Sequence, residues 1–238
     1  VTVVVRKDQG ERWDFPTVVR AYLEQAPQTK AIPGLVQLPV GPLRPDQCVL
    51  LDIGRLANTD PFTAPFGVPQ AKGSRYLFTG LPVGVQVVAG VPFRITDPAK
   101  NGGKGLVVLH SPKAPKDIEW PRQVEIPVGQ RGKRLFFLGN VHGWAPEDEG
   151  TGKWGALAEY LIVYADGTTQ SVPLIAGRTT DDWILPPTAT EARCGLTGRS
   201  WHLNVLGVDL RPVRVEKIVF RDLGTPAAPV LVAVTLEK

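Results

Sequence analysis

The sequence predicts an all-β protein, an antiparallel β-sandwich of jelly-roll type preceded by a short N-terminal strand and helix. Two observations carry that expectation. Short apolar runs recur along most of the chain, alternating with polar residues or bounded by turn formers. Proline and glycine, 23 and 25 residues, are spread throughout rather than gathered in one tract, which suits many short strands joined by turns. With 238 residues and 43% hydrophobic content, the chain can bury a substantial core.

Val1-Thr2-Val3-Val4-Val5-Arg6 reads as a strand. Residues 14–25 carry the one good helical pattern: Asp14 as a cap, Pro16 near the first turn, then Val18, Val19, Tyr22 and Leu23 on one face, with Pro27 as the stop. The proline-rich stretch 33–45 reads as a linker or an extended strap over a neighbouring surface. A boundary near Gly41 therefore separates an extension, residues 1–40, from a sandwich, residues 41–238. Within the sandwich, strands are expected at 48–53, 76–78, 105–109, 124–128, 134–138 and 160–164. Asp166-Gly167 joins the last of these to 169–174, and Asp-Gly between two β runs predicts a hairpin because glycine accepts the positive φ of the turn. Residues 215–220 and 229–236 read as a closing antiparallel pair. No repeat is visible.

The net charge of +4 comes from 27 basic and 23 acidic residues that are interspersed. Nucleic-acid binding would want a basic stripe with aromatics along it, which is not the pattern here. No apolar run approaches the roughly 18 residues of a membrane span, and no signal peptide opens the chain. The absence of methionine, even at position 1, marks the sequence as a processed or excised piece. Cys48 and Cys194 show no metal-ligand spacing; in a secreted protein they are the one pair available for a disulfide.

Several phrases carry a resemblance: Val49-Leu50-Leu51-Asp52-Ile53-Gly54-Arg55-Leu56-Ala57-Asn58, Gly90-Val91-Pro92-Phe93-Arg94-Ile95-Thr96-Asp97-Pro98 running to Asn101-Gly102-Gly103-Lys104, the stretch 124–138, and the hairpin Tyr164-Ala165-Asp166-Gly167. In order and spacing these resemble the galactose-binding-like fold and its NPCBM-like carbohydrate-binding modules, accessory domains of bacterial polysaccharide-degrading proteins. The resemblance covers residues 49–238 and rests mostly on turn and core positions. It implies a secreted or periplasmic, non-catalytic module joined to a glycoside hydrolase or polysaccharide lyase.

Candidate sites follow from chemistry. Sugar recognition stacks aromatic rings on the C–H faces of pyranoses while polar groups read the hydroxyls. His142, Trp144 and Trp154, in the glycine-rich stretch 139–155, fit that pattern, as do Arg178, Asp181 and Trp183 after the hairpin. Each tryptophan has the competing role of covering an end of the core, and Trp120, beside Pro121, reads as packing. Glu147, Asp148 and Glu149 crowd one loop, whereas a catalytic carboxylate pair faces itself across a sugar ring at about 5–9 Å. Ser200-Trp201-His202 puts a serine and a histidine on one strand face with no third partner identified. No catalytic residue is therefore assigned. A structural calcium is the one cofactor the loops would suit, through Asp97, Asn101, Asp166 and residues 147–149; no metal site is assigned.

These expectations converge on a non-catalytic carbohydrate-binding module whose aromatic loop pocket holds glycan for a tethered enzyme. The alternatives are a structural or interaction domain with no glycan ligand, in which the strap docks on a partner domain, and a jelly-roll polysaccharide lyase using Tyr, Arg or Lys as base.

Overall fold

Alternation becomes strand wherever one face of the chain can be buried. The computed structural model describes residues 32–36, 38, 41–66, 77–142, 155–184 and 186–238. Twelve strands form among them: β1 (Cys48–Leu51), β2 (Gly84–Val88), β3 (Val91–Ile95), β4 (Val107–Val108), β5 (Gln123–Gln130), β6 (Arg134–His142), β7 (Ala156–Tyr164), β8 (Thr169–Ile175), β9 (Arg193–Thr197), β10 (His202–Asp209), β11 (Val215–Asp222) and β12 (Ala228–Glu237). One sheet has the order β1-β12-β6-β10-β9, with β4 also pairing β12. The second has the order β5-β11-β7-β8. Every strand pair is antiparallel, so the architecture is the antiparallel β-sandwich that the patterning predicts.

Between the sheets, Leu135, Phe137, Leu206, Val208 and Val234 of the first meet Ile126, Tyr160, Ile162, Val172, Ile218 and Phe220 of the second. The Phe137 and Tyr160 rings stack almost parallel across that gap, centroids 3.9 Å apart. A second core lies on the other face of the first sheet, where Phe78 and the hairpin residues Val88, Val91, Phe93 and Ile95 cover Phe136, Leu138, Leu203, Val205 and Val230. Strands β6, β10 and β12 are therefore buried on both faces, and β6 and β12 read as near-continuous apolar runs rather than alternations. The second sheet keeps one face in solvent, and β5 and β8 alternate accordingly.

Two sequence expectations need correction. Residues 215–220 and 229–236 do not pair with each other: β11 lies between β5 and β7, whereas β12 lies between β1 and β6 in the opposite sheet. Both runs are apolar enough to be central strands, and nothing local says which sheet each joins. Residues 77 and 78 form not a strand but a buried bend that leads into a turn, with Phe78 fully enclosed. The expected hairpin forms, with Gly167 at φ 80° and Val163 opposite Thr169.

The expected strand at 1–6 and helix at 14–25 lie outside the described residues. The proline-rich strap is described in part, and it docks on its own sandwich. Val36 N–H donates to Gly207 O at 3.2 Å, Asp209 N–H donates to Gly34 O at 2.7 Å, and Leu43 N–H donates to Gly90 O at 2.7 Å. Gly34 turns at φ 82°, where a Cβ would sit 2.7 Å from Gln170 Nε2, so the strap needs glycine there.

Candidate functional site

Strand β6 ends at His142 in the first sheet and β7 begins at Ala156 in the second, so residues 143–154 connect the sheets at one end of the sandwich. At that end the ladder between β6 and β10 stops at the pair Asn204 and Gly139. Beyond it a wedge, residues 181–183, enters between the two strands. Val141 N–H donates to Asp181 O at 3.3 Å, Trp183 N–H donates to Val141 O at 3.2 Å, and His202 N–H donates to Trp183 O at 2.8 Å. The wedge thus satisfies backbone groups that the diverging strands would otherwise leave bare.

A buried polar network fixes the wedge. Asp181 is fully buried. Its Oδ1 accepts from His202 Nε2 at 2.7 Å and from Asn204 Nδ2 at 2.7 Å. Its Oδ2 accepts from the N–H groups of Thr188, 2.7 Å, and Ala189, 2.9 Å. Asn140 Oδ1 accepts from Asp181 N–H at 3.0 Å and from Thr180 Oγ1 at 3.1 Å, which turns Nδ2 toward His202. That nitrogen donates to the His202 carbonyl at 3.3 Å, and its 3.2 Å approach to His202 Nε2 is a contact rather than a bond, because Nε2 must itself carry a proton for Asp181. Burial by itself would raise the Asp181 carboxyl. The His202 hydrogen bond and charge, with the two backbone donors, outweigh it and hold the group below the ordinary carboxylate value.

Above the wedge sits an aromatic cluster. Trp183, also fully buried, donates through Nε1 to His142 Nδ1 at 2.7 Å and stacks on Phe78 at 4.4 Å. Phe66 stacks on the His142 ring at 3.7 Å. This burial lowers the His142 pKa to about 4, so the imidazole is neutral with its proton on Nε2.

The structure therefore joins His142, Asp181 and Trp183 in one assembly. Asp181 and Trp183 serve the fold there and have no surface to offer a ligand. Arg178 lies apart, paired through Nε with Glu191 at 3.1 Å, and lines an open cleft of about 1050 Å³ between β8 and the strap. Trp144, Trp154 and the acids 147–149 lie outside the described residues. Sequence reasoning missed Asn140, Thr180 and Asn204 and left His202 without a partner. Their signal was present: Asn140 and Asn204 are amides inside otherwise apolar strand runs, a placement that calls for buried partners.

The chemistry open to this assembly is narrow. His202 and Asp181 form an acid–base couple, but at 3% and 0% exposure neither meets substrate. Trp201, beside His202, is buried and donates to Thr79 O at 3.0 Å; Trp120 is buried in the outer core. Among the described residues no three His, Cys, Asp or Glu side chains gather to hold a metal. The loop residues considered for calcium have local tasks: Asp97 accepts from Ala99 N–H, Asn101 donates to Gly54 O and Lys104 O, and Asp166 accepts from Thr168 N–H in the hairpin turn. Also among the described residues, no helix is long and apolar enough to cross a membrane. No family model matches the chain, and neither a curated protein nor a solved structure matches it.

Proposed function

We propose that the chain is a non-catalytic recognition module of a larger secreted or periplasmic glycan-degrading protein, with residues 143–154 as its binding element. The observation that carries this reading is the locked base of that segment: His142 hydrogen-bonded to Trp183 and stacked under Phe66, on a wedge tied by Asp181. A platform that is already rigid loses less entropy on binding, which favours recognition beside it. Trp144 and Trp154 would stack on sugar rings there, and a tethered hydrolase or lyase would gain local substrate concentration. The test is a glycan array on the full chain beside Trp144→Ala and Trp154→Ala. Binding that weakens about tenfold or more in either variant, with circular dichroism unchanged, supports the reading.

A second reading, a structural or interaction domain, is favoured by the complete burial of Asp181 and Trp183, two residues whose types suit sugar contact. An array silent across plant, algal and animal polysaccharides favours it over the first. Unsaturated product released by the isolated chain would instead indicate a lyase.

A further inference from the structure

One oxygen of the buried network is left over. Asn204 commits Nδ2 to Asp181 Oδ1 at 2.7 Å, which settles which end of the amide is which. Its Oδ1 is buried and has no hydrogen-bond partner among the described residues. A buried carbonyl in that condition loses its hydration without compensation, and native interiors rarely tolerate this.

Asn204 also lines a small cavity between the sheets. Asn204, Asn140, Gly139, Tyr160, Thr179 and Thr180 contribute to its wall, and its volume is about 10 Å³. That is close to the minimum for one water and too little for any larger ligand. The Tyr160 hydroxyl comes across from the second sheet: a Cβ built on Gly139 would stand 3.4 Å from it, and Gly139 is the cross-strand partner of Asn204. Tyr160 and Asn204 thus line the same cavity from opposite sheets.

We propose that this cavity is a binding site for a single ordered water, which donates one proton to Asn204 Oδ1 and accepts the phenolic proton of Tyr160. Its second proton faces Thr180 Oγ1, whose own hydrogen is committed to Asn140 Oδ1. Burial raises the Tyr160 pKa far above its ordinary value, so the phenol remains a donor throughout the accessible pH range. The water would tie the two sheets together directly below the wedge. Gly139 leaves room for it, since any side chain there would also collide with the Val230 carbonyl. This site is independent of whatever residues 143–154 bind.

The test combines a high-resolution crystal structure of the full chain with oxygen-17 relaxation dispersion, which counts long-lived buried waters in solution. The expected result is density within hydrogen-bond reach of both Asn204 Oδ1 and Tyr160 Oη, and a count lower by one in Tyr160→Phe, which keeps the ring stack on Phe137. A dry cavity overturns the proposal, as does a count unchanged in the variant. Should Tyr160→Phe fail to fold, the wild-type density decides alone: present, it supports the site; absent, it removes it.

Discussion

The Trp183 indole N–H donates to His142 Nδ1 across 2.7 Å, so the imidazole at the end of β6 accepts a bond that only its neutral form can accept. Burial lowers its pKa from 6.5 to about 4. In the unfolded chain the ring takes up a proton as pH falls through 6.5, while in the folded chain it resists until about 4. The stabilisation is complete above the upper value, falls between the two, and is level below the lower one. The span corresponds to about 3 kcal/mol at most. Urea midpoints measured across this range should fall with pH, and His142→Gln should flatten that part of the profile.

Asp181 acts in the same sense as His142, at lower pH: its folded pKa is also lowered, so its contribution too is lost as pH falls. Its carboxyl is held below the ordinary value, so its contribution is present above the ordinary carboxylate range and lost as pH falls through the depressed folded value. Asp181→Ala strands His202, Asn204 and two backbone N–H groups in the interior, and should cost about 3–5 kcal/mol. Chemical denaturation near neutral pH checks this, where His142 contributes no slope.

Ala89 sits at φ 50° in the two-residue turn of the β2–β3 hairpin, followed by Gly90 at φ 84°. That turn wants positive φ at both positions, and alanine pays a steric cost that asparagine largely avoids. Ala89→Asn should stabilise the protein by about 0.5–1 kcal/mol. A thermal melt that stays level or falls would count against this account of the turn.

Cys48 lies on β1 and Cys194 on β9, opposite edges of one sheet, and both are free thiols. Four strand spacings put them about 19 Å apart, well beyond the roughly 7 Å between Cα atoms that a disulfide spans. The melting temperature should be the same with and without reductant. Thiol titration under denaturing conditions should find two free groups per chain, and finding none would contradict the strand order.

Much of the fold was legible because burial writes itself into local pattern. The Asp166-Gly167 turn, the β5 and β8 alternations and the apolar runs of β6 and β12 each state their element. Strands β2, β3, β9 and β10 did not: β2 is mostly exposed, β3 is broken by Pro92, β9 is mostly half-exposed, and β10 carries a histidine and an asparagine that dilute its apolar run. The wedge was illegible for a different reason. Asp181 and Trp183 resemble a ligand site in composition, and nothing nearby in sequence shows that their partners are Asn140, His142, His202 and Asn204.

By itself, then, the sequence determined an all-β sandwich, eight of its twelve described strands and its Asp-Gly hairpin, because periodicity and turn chemistry act over a few residues. Only the tertiary structure decided which sheet β11 and β12 join, that the first sheet is buried on both faces, and that Asp181 and Trp183 hold a wedge in place. Those outcomes depend on contacts between residues from about 20 to about 190 positions apart, where burial and hydrogen-bond satisfaction are settled by the whole chain at once.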